Sequence, residues 1–121
     1  MTSRELARSA AYIVQHEYEQ ASVIAADGRQ ASVGAFYGDP AVALIDDHEQ
    51  WCAVAGEGLV ICRLEQGFGQ CVEYYRQPSE VRWVTALRQT GPFALEWQDE
   101  DGAWSALDVE PVDASAYAPG R

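Results

Sequence analysis

The hydrophobic pattern of this chain changes period near residue 20. Before it, Leu6, Ala10, Ile13, Val14 and Ala21 recur at helical spacing, behind a Thr2-Ser3-Arg4-Glu5 segment with the form of a capping box. This predicts a helix over about residues 3–19. Tyr12, Val14, His16 and Tyr18 also alternate, as in a strand, but the Ala-rich residues before Tyr12 favour the helix. After residue 20 the period is two. Ser22 to Ala26, Asp27-Gly28 and Arg29 to Phe36 read as a hairpin, its Asp-Gly pair suited to a type I′ turn.

Tyr37-Gly38-Asp39-Pro40 is a turn, Ala41 to Ile45 a short strand, and Asp46-Asp47-His48-Glu49 a polar turn before a strand from Gln50 to Ala55. Gly56-Glu57-Gly58 reverses the chain into Leu59 to Leu64, a near-continuous apolar run that predicts burial on both faces. Glu65 to Gln70 is a loop, Cys71 to Tyr75 a short strand, and Gln77-Pro78-Ser79 a break. Residues 80–89 could be a helix capped by Ser79. The alternation of Val81, Trp83, Thr85 and Leu87 favours a strand. Phe93, Leu95 and Trp97 then turn one face inward, and Asp99-Glu100-Asp101-Gly102 leads to a return strand from Ala103 to Val109.

The expected fold is α+β: an N-terminal helix packed on a predominantly antiparallel sheet, a meander of about six to eight short strands. A chain of 121 residues is one domain, divided here into a helix over 1–20, a sheet over 21–110 and a flexible tail over 111–121. No internal repeat is evident.

Charge narrows the function. Nineteen carboxylates face eight arginines and no lysine, for a formal charge of -11. No lysine or arginine lies between Arg29 and Arg63 or between Arg88 and Arg121, and each stretch carries a run of acids. Such a surface repels nucleic acid and anionic membranes and attracts a cationic partner. Four Trp, six Tyr and three Phe oppose disorder. There is no apolar run of membrane-spanning length and no signal-peptide core near the start, so a cytoplasmic location is expected. In a reducing cytosol, Cys52, Cys62 and Cys71 are expected as buried thiols. They lack the close pairing of zinc ligands.

Candidate chemistry is sparse, and no catalytic residue, cofactor or metal is assigned. Asp46-Asp47-His48-Glu49 has ligand-type side chains, but four adjacent residues point in different directions and rarely converge on one ion. An enzyme built around His48 remains the alternative reading, beside a nucleic-acid mimic or an adaptor. Gly56-Glu57-Gly58 and Gly67-Phe68-Gly69 lack the lysine of a phosphate loop. Glu96, Asp99, Glu100 and Asp101 cluster about an exposed turn, which suits contact with arginine or lysine better than glycosidase chemistry.

Trp51 to Leu64, with Glu57-Gly58-Leu59-Val60-Ile61 at its centre, followed by Phe68, the Tyr74-Tyr75 pair, Arg82-Trp83-Val84-Thr85 and the Asp99 to Gly102 turn, resembles small acidic immunity proteins. These are paired with secreted bacterial toxins, including type VI secretion effectors. The resemblance covers roughly residues 40–110. It implies a bacterial, non-enzymatic inhibitor that binds one cognate toxin, expected to have a basic active site. The candidate contacts are Asp46, Asp47, Glu49, Asp99, Glu100 and Asp101, with Tyr74 and Tyr75 as aromatic anchors.

Overall fold

A computed structural model describes residues 3–75 and 81–109. The expected tail over 111–121, the break at 77–79 and the Thr2 cap lie outside the described residues. The described chain is all-β: eleven strands in three antiparallel sheets, each a simple meander. The first sheet contains β1 (Arg4–Arg8), β2 (Tyr12–Glu17), β3 (Gln20–Ala25) and β4 (Gln30–Ala35). The second contains β5 (Val42–Ile45), β6 (Trp51–Gly56), β7 (Gly58–Arg63) and β8 (Cys71–Tyr74). The third contains β9 (Val84–Gly91), β10 (Ala94–Asp99) and β11 (Trp104–Asp108). Each strand pairs with its neighbour in sequence, the arrangement that short connections favour. No described helix is long and apolar enough to cross a membrane.

The expected N-terminal helix is replaced by β1 and β2, so the α+β assignment is corrected to all-β. Tyr12, Val14 and His16 of β2 point inward and are buried, so alternation governs this segment. The Ala-rich stretch is the β1–β2 turn, closed by Ser9 N–H donating to Tyr12 O at 2.9 Å. Glu5 and Arg8 do form the i, i+3 ion pair that a helix would favour, at 2.7 Å, but across a register shift in β1. Packing overrides alanine's helix propensity because β2 buries a whole face against the second sheet.

The second sheet is the middle layer, and every residue of β6 and β7 is buried. Cys52, Val54, Val60, Cys62 and Leu64 pack toward the first sheet, with Tyr12, Val14, Val23 and Phe36. Trp51, Ala53, Ala55, Leu59 and Ile61 pack toward the third, with Val84, Leu95, Trp97 and Val109. Each large apolar side chain taken out of water this way contributes about 1.5–3 kcal/mol. The outer sheets alternate buried and solvent-facing residues, as layers with one wet face must. The strands expected after residue 20 lie close to those found, including the two-faced burial of Leu59 to Leu64, but the strand expected over 80–89 is β9 at Val84–Gly91, and the single meander of six to eight strands is corrected to eleven strands in three sheets because the chain stacks its hairpins in layers.

Two details correct the sequence expectations. Both Asp-Gly turns are three-residue loops and not type I′ turns. Ala25 N donates to Arg29 O and Gly28 N to Ala25 O; Asp99 N donates to Ala103 O and Gly102 N to Asp99 O. Of the residues in these two loops, only Gly28 and Gly102 have positive φ, 97° and 87°, the left-handed position that glycine fills without strain. The cysteines are also not three thiols. Cys62 and Cys71, paired across β7 and β8, form a disulfide, and Cys52 is free and buried.

Candidate functional site: an acidic aromatic rim

Because the sheets are meanders, their turns gather at two ends of the molecule. At one end the side chains bind one another across the layers. Asp46 is 2% exposed and accepts from Gln89 Nε2 at 2.6 Å and from Gln50 N at 3.0 Å. Glu49, at φ 58°, accepts from Ser9 Oγ and from Ala11 N, tying the β5–β6 turn to the β1–β2 turn. These two donors hold its carboxyl below the usual range, the Ser9 hydroxyl most strongly. Tyr12 donates to Leu64 O at 3.0 Å and to the Glu65 carboxylate. Burial and that carboxylate push its phenol up to about 12. Arg29 pairs with Asp27 at 2.8 Å and lies over the Phe68 ring at 4.6 Å. This is the clasped end.

The opposite end is a continuous rim across all three sheets. In the β2–β3 turn, Glu19 O accepts from Phe36 N and its carboxylate from Gly38 N. Tyr37 N donates to Glu57 Oε1 at 3.3 Å in the β6–β7 turn. Glu57 bridges Trp83, and Gly58 N donates to Arg82 O at 2.7 Å. Thr85 Oγ1 donates to Asp99 O at 3.2 Å, joining the β10–β11 turn. Along this line Tyr18, Tyr37 and Trp83 are 61%, 73% and 41% exposed. Glu17, Glu19, Asp39, Glu100 and Asp101 are exposed around them, with Glu57 and Asp99 half-buried. The described bases nearby are Arg4, opposite His16 in the β1–β2 pair, and Arg82.

Large aromatics left in water among carboxylates have the composition of an interface centre facing a cationic protein. Tyr18 adds a conformational signal. Its φ is 54°, a value rare for a bulky residue, and its carbonyl lies 2.8 Å from His16 Nδ1.

The sequence-predicted contacts are split between the two ends. Asp46 and Glu49 are occupied at the clasped end, where Asp47 is exposed and its N–H donates to Gln89 Oε1. Glu100 and Asp101 stand exposed on the rim, while the Asp99 carboxylate caps its own turn through Asp101 N and Ala103 N. Gln89 pairs with Leu95 and Val84 with Asp99, so most of β10, about 17 Å for six residues, separates the two groups. Tyr74 and Tyr75 are half-buried against the second core, with Tyr75 4.9 Å from the Trp97 ring.

His48 is exposed beside a depression of about 260 Å³ lined with Asp47, Gln89, Thr90, Gly91 and Pro92. Among the described residues no three His, Cys, Asp or Glu side chains gather to hold a metal ion. Burial raises the Cys52 thiol to about 12, which keeps it protonated and unreactive at neutral pH. Comparison of the chain with protein-family models, curated proteins and solved structures finds no match.

The sequence analysis missed Tyr18, Tyr37 and Trp83. Tyr37 carried a usable signal: an aromatic directly before Gly38-Asp39-Pro40 sits in a turn and has little core to enter. Tyr18 was hidden by the helix assignment and Trp83 by its place in an alternating strand.

Proposed function

We propose that this chain is an inhibitor of the immunity type, which holds a basic region of a protein toxin against the acidic rim. The observation that carries this is the line of exposed Tyr18, Tyr37 and Trp83 among carboxylates at one end of the fold. The carboxylates speed encounter with a cationic surface, and the aromatics slow release by burying area at small entropic cost. If the toxin binds phosphates, rim carboxylates take the phosphates' place. The contact set is therefore Asp39, Glu100 and Asp101 around Tyr18, Tyr37 and Trp83; Asp46, Glu49, Tyr74 and Tyr75 serve the fold.

The test is to express any toxin gene found beside this one and to ask whether this chain rescues growth, with affinity measured on the purified pair. Tyr37→Ala and Trp83→Ala should each weaken binding by about 2 kcal/mol, roughly thirtyfold. The combined Asp39→Lys, Glu100→Lys and Asp101→Lys variant should lower the association rate and lose protection. Full protection and unchanged affinity in that variant would reject the rim as the binding face.

A further inference from the structure

A second surface differs from the rim in chemistry. The outer face of the first sheet carries a concave depression of about 460 Å³. Its floor is a cross-strand row, Gln15 beside Ser22 beside Ser32, flanked by Gln20 and Gln30. The two serines are short, so the row is low at its centre and walled by amides. A register shift between Ala21 and Ser22 adds local twist to β3 and β4. Tyr18 stands at the margin and lines the depression.

This lining is neutral in a chain of net charge -11. Its one charged lining group is Glu17, whose carboxylate lies 3.5 Å from Ser3 Oγ. No hydrogen bond is made within the described protein by the side chains of Gln15, Gln20, Ser22, Gln30 or Ser32. Amides and hydroxyls both donate and accept, so they match a ligand that does the same at every position. An anionic ligand finds no counter-charge here, and the single carboxylate, Glu17, lies beside Ser3 and not in the Gln15-Ser22-Ser32 row. An extended peptide lying over the floor finds no open backbone, because β2 and β3 are paired on both sides; one adding to β4, the edge strand of this sheet, would lie beside the floor and not on it. The ring of Tyr18 offers an apolar face beside the polar floor.

We propose that this depression binds a neutral, hydroxyl-rich ligand, a stretch of uncharged polysaccharide, with Gln15, Ser22, Gln30 and Ser32 reading its hydroxyls and Tyr18 packing against a sugar ring. This surface adjoins the rim, and Glu17 and Tyr18 belong to both.

The probes are maltohexaose, cellohexaose, laminarihexaose and chitohexaose, added at millimolar concentration to the ¹⁵N-labelled full chain while amide and side-chain NH₂ signals are followed. The expected result is that at least one hexasaccharide shifts the Gln15, Gln30, Ser22 and Ser32 signals. The double variant Gln15→Ala, Gln30→Ala should weaken that binding at least tenfold with its unfolding midpoint unchanged. Ser32→Tyr, which fills the floor at an exposed position, should abolish it. Asp39→Lys with Glu100→Lys should leave sugar binding intact, and Ser32→Tyr should leave toxin binding intact, so the two surfaces fail separately. Absence of shifts with all four sugars, binding that survives both groove variants, or preferential binding of a neutral Ser-Gly-Asn heptapeptide would each overturn the proposal.

Discussion

The two ends of this molecule carry similar kinds of residue and use them in opposite ways. At the clasped end Asp46, Glu49 and Glu65 accept hydrogen bonds from other segments, and Tyr12 and Trp51 are buried. At the rim Asp39, Glu100 and Asp101 make no described side-chain hydrogen bond, and Tyr18, Tyr37 and Trp83 are left in water. The same acids and aromatics therefore stabilise the fold at one end and remain available at the other. Acidity alone does not mark a binding surface. What marks it is acidity that the protein's own donors have not used, beside apolar area that its own core has not covered.

This contrast can be broken by substitution. Asp46→Ala should have the largest effect on stability, because it removes a buried carboxylate that accepts from the half-buried Gln89 amide, which keeps its bond to Gly91 O, and from the Gln50 N–H; a loss of about 2 kcal/mol in denaturant unfolding is expected. A loss below 0.5 kcal/mol would mean that the clasped end is not held as described.

The pH dependence sharpens the same point. The folded state keeps the Tyr12 phenol protonated up to about 12, above its ordinary value of 10, and the Cys52 thiol up to about 12, above 9. Both raised groups give stability that is fully present below their ordinary values and is lost as pH rises toward 12. The thermal midpoint should start to fall above pH 9, and Tyr12→Phe should flatten the part of the fall beyond pH 10. Glu49 has the opposite sign. Its lowered carboxyl gives stability that is present above 4.5 and is lost as pH falls through the folded-state value. Glu49→Gln should flatten that acid limb.

Arg63 tests a cost within the core. It is 9% exposed and its Nη1 has no hydrogen-bond partner. A buried guanidinium group carries a desolvation cost, and among the described residues no carboxylate pairs with it, so Arg63→Met should leave stability unchanged or raise it by about 1 kcal/mol. The smallest stability effects belong to the rim. Tyr37→Ala and Trp83→Ala should stay within about 0.5 kcal/mol of the parent in unfolding, while weakening partner binding as stated above. A large loss of stability in either would move that aromatic from the interface to the fold.

The sequence by itself determined most of the strand positions after residue 20 and which of their faces are apolar. Leu59 to Leu64 is apolar at every position but one because β7 is covered on both faces, and Leu95 and Trp97 alternate with polar residues because β10 is covered on one. The Asp-Gly turns were legible as turns because few other residues tolerate the left-handed backbone at Gly28 and Gly102. Tertiary structure decided the rest. The fate of residues 3–19 turned on whether Tyr12, Val14 and His16 had a sheet to face, which local propensity does not report. The disulfide was a matter of tertiary pairing too: β7 sets Cys62 opposite both Cys52 of β6 and Cys71 of β8, and the bond joins it to Cys71 while Cys52 stays a buried thiol. The separation of Asp46 from Asp101 follows from the length of β10. A line of charges in sequence carries no distance in space, so only the packed layers could show which acids were spent and which were left facing solvent.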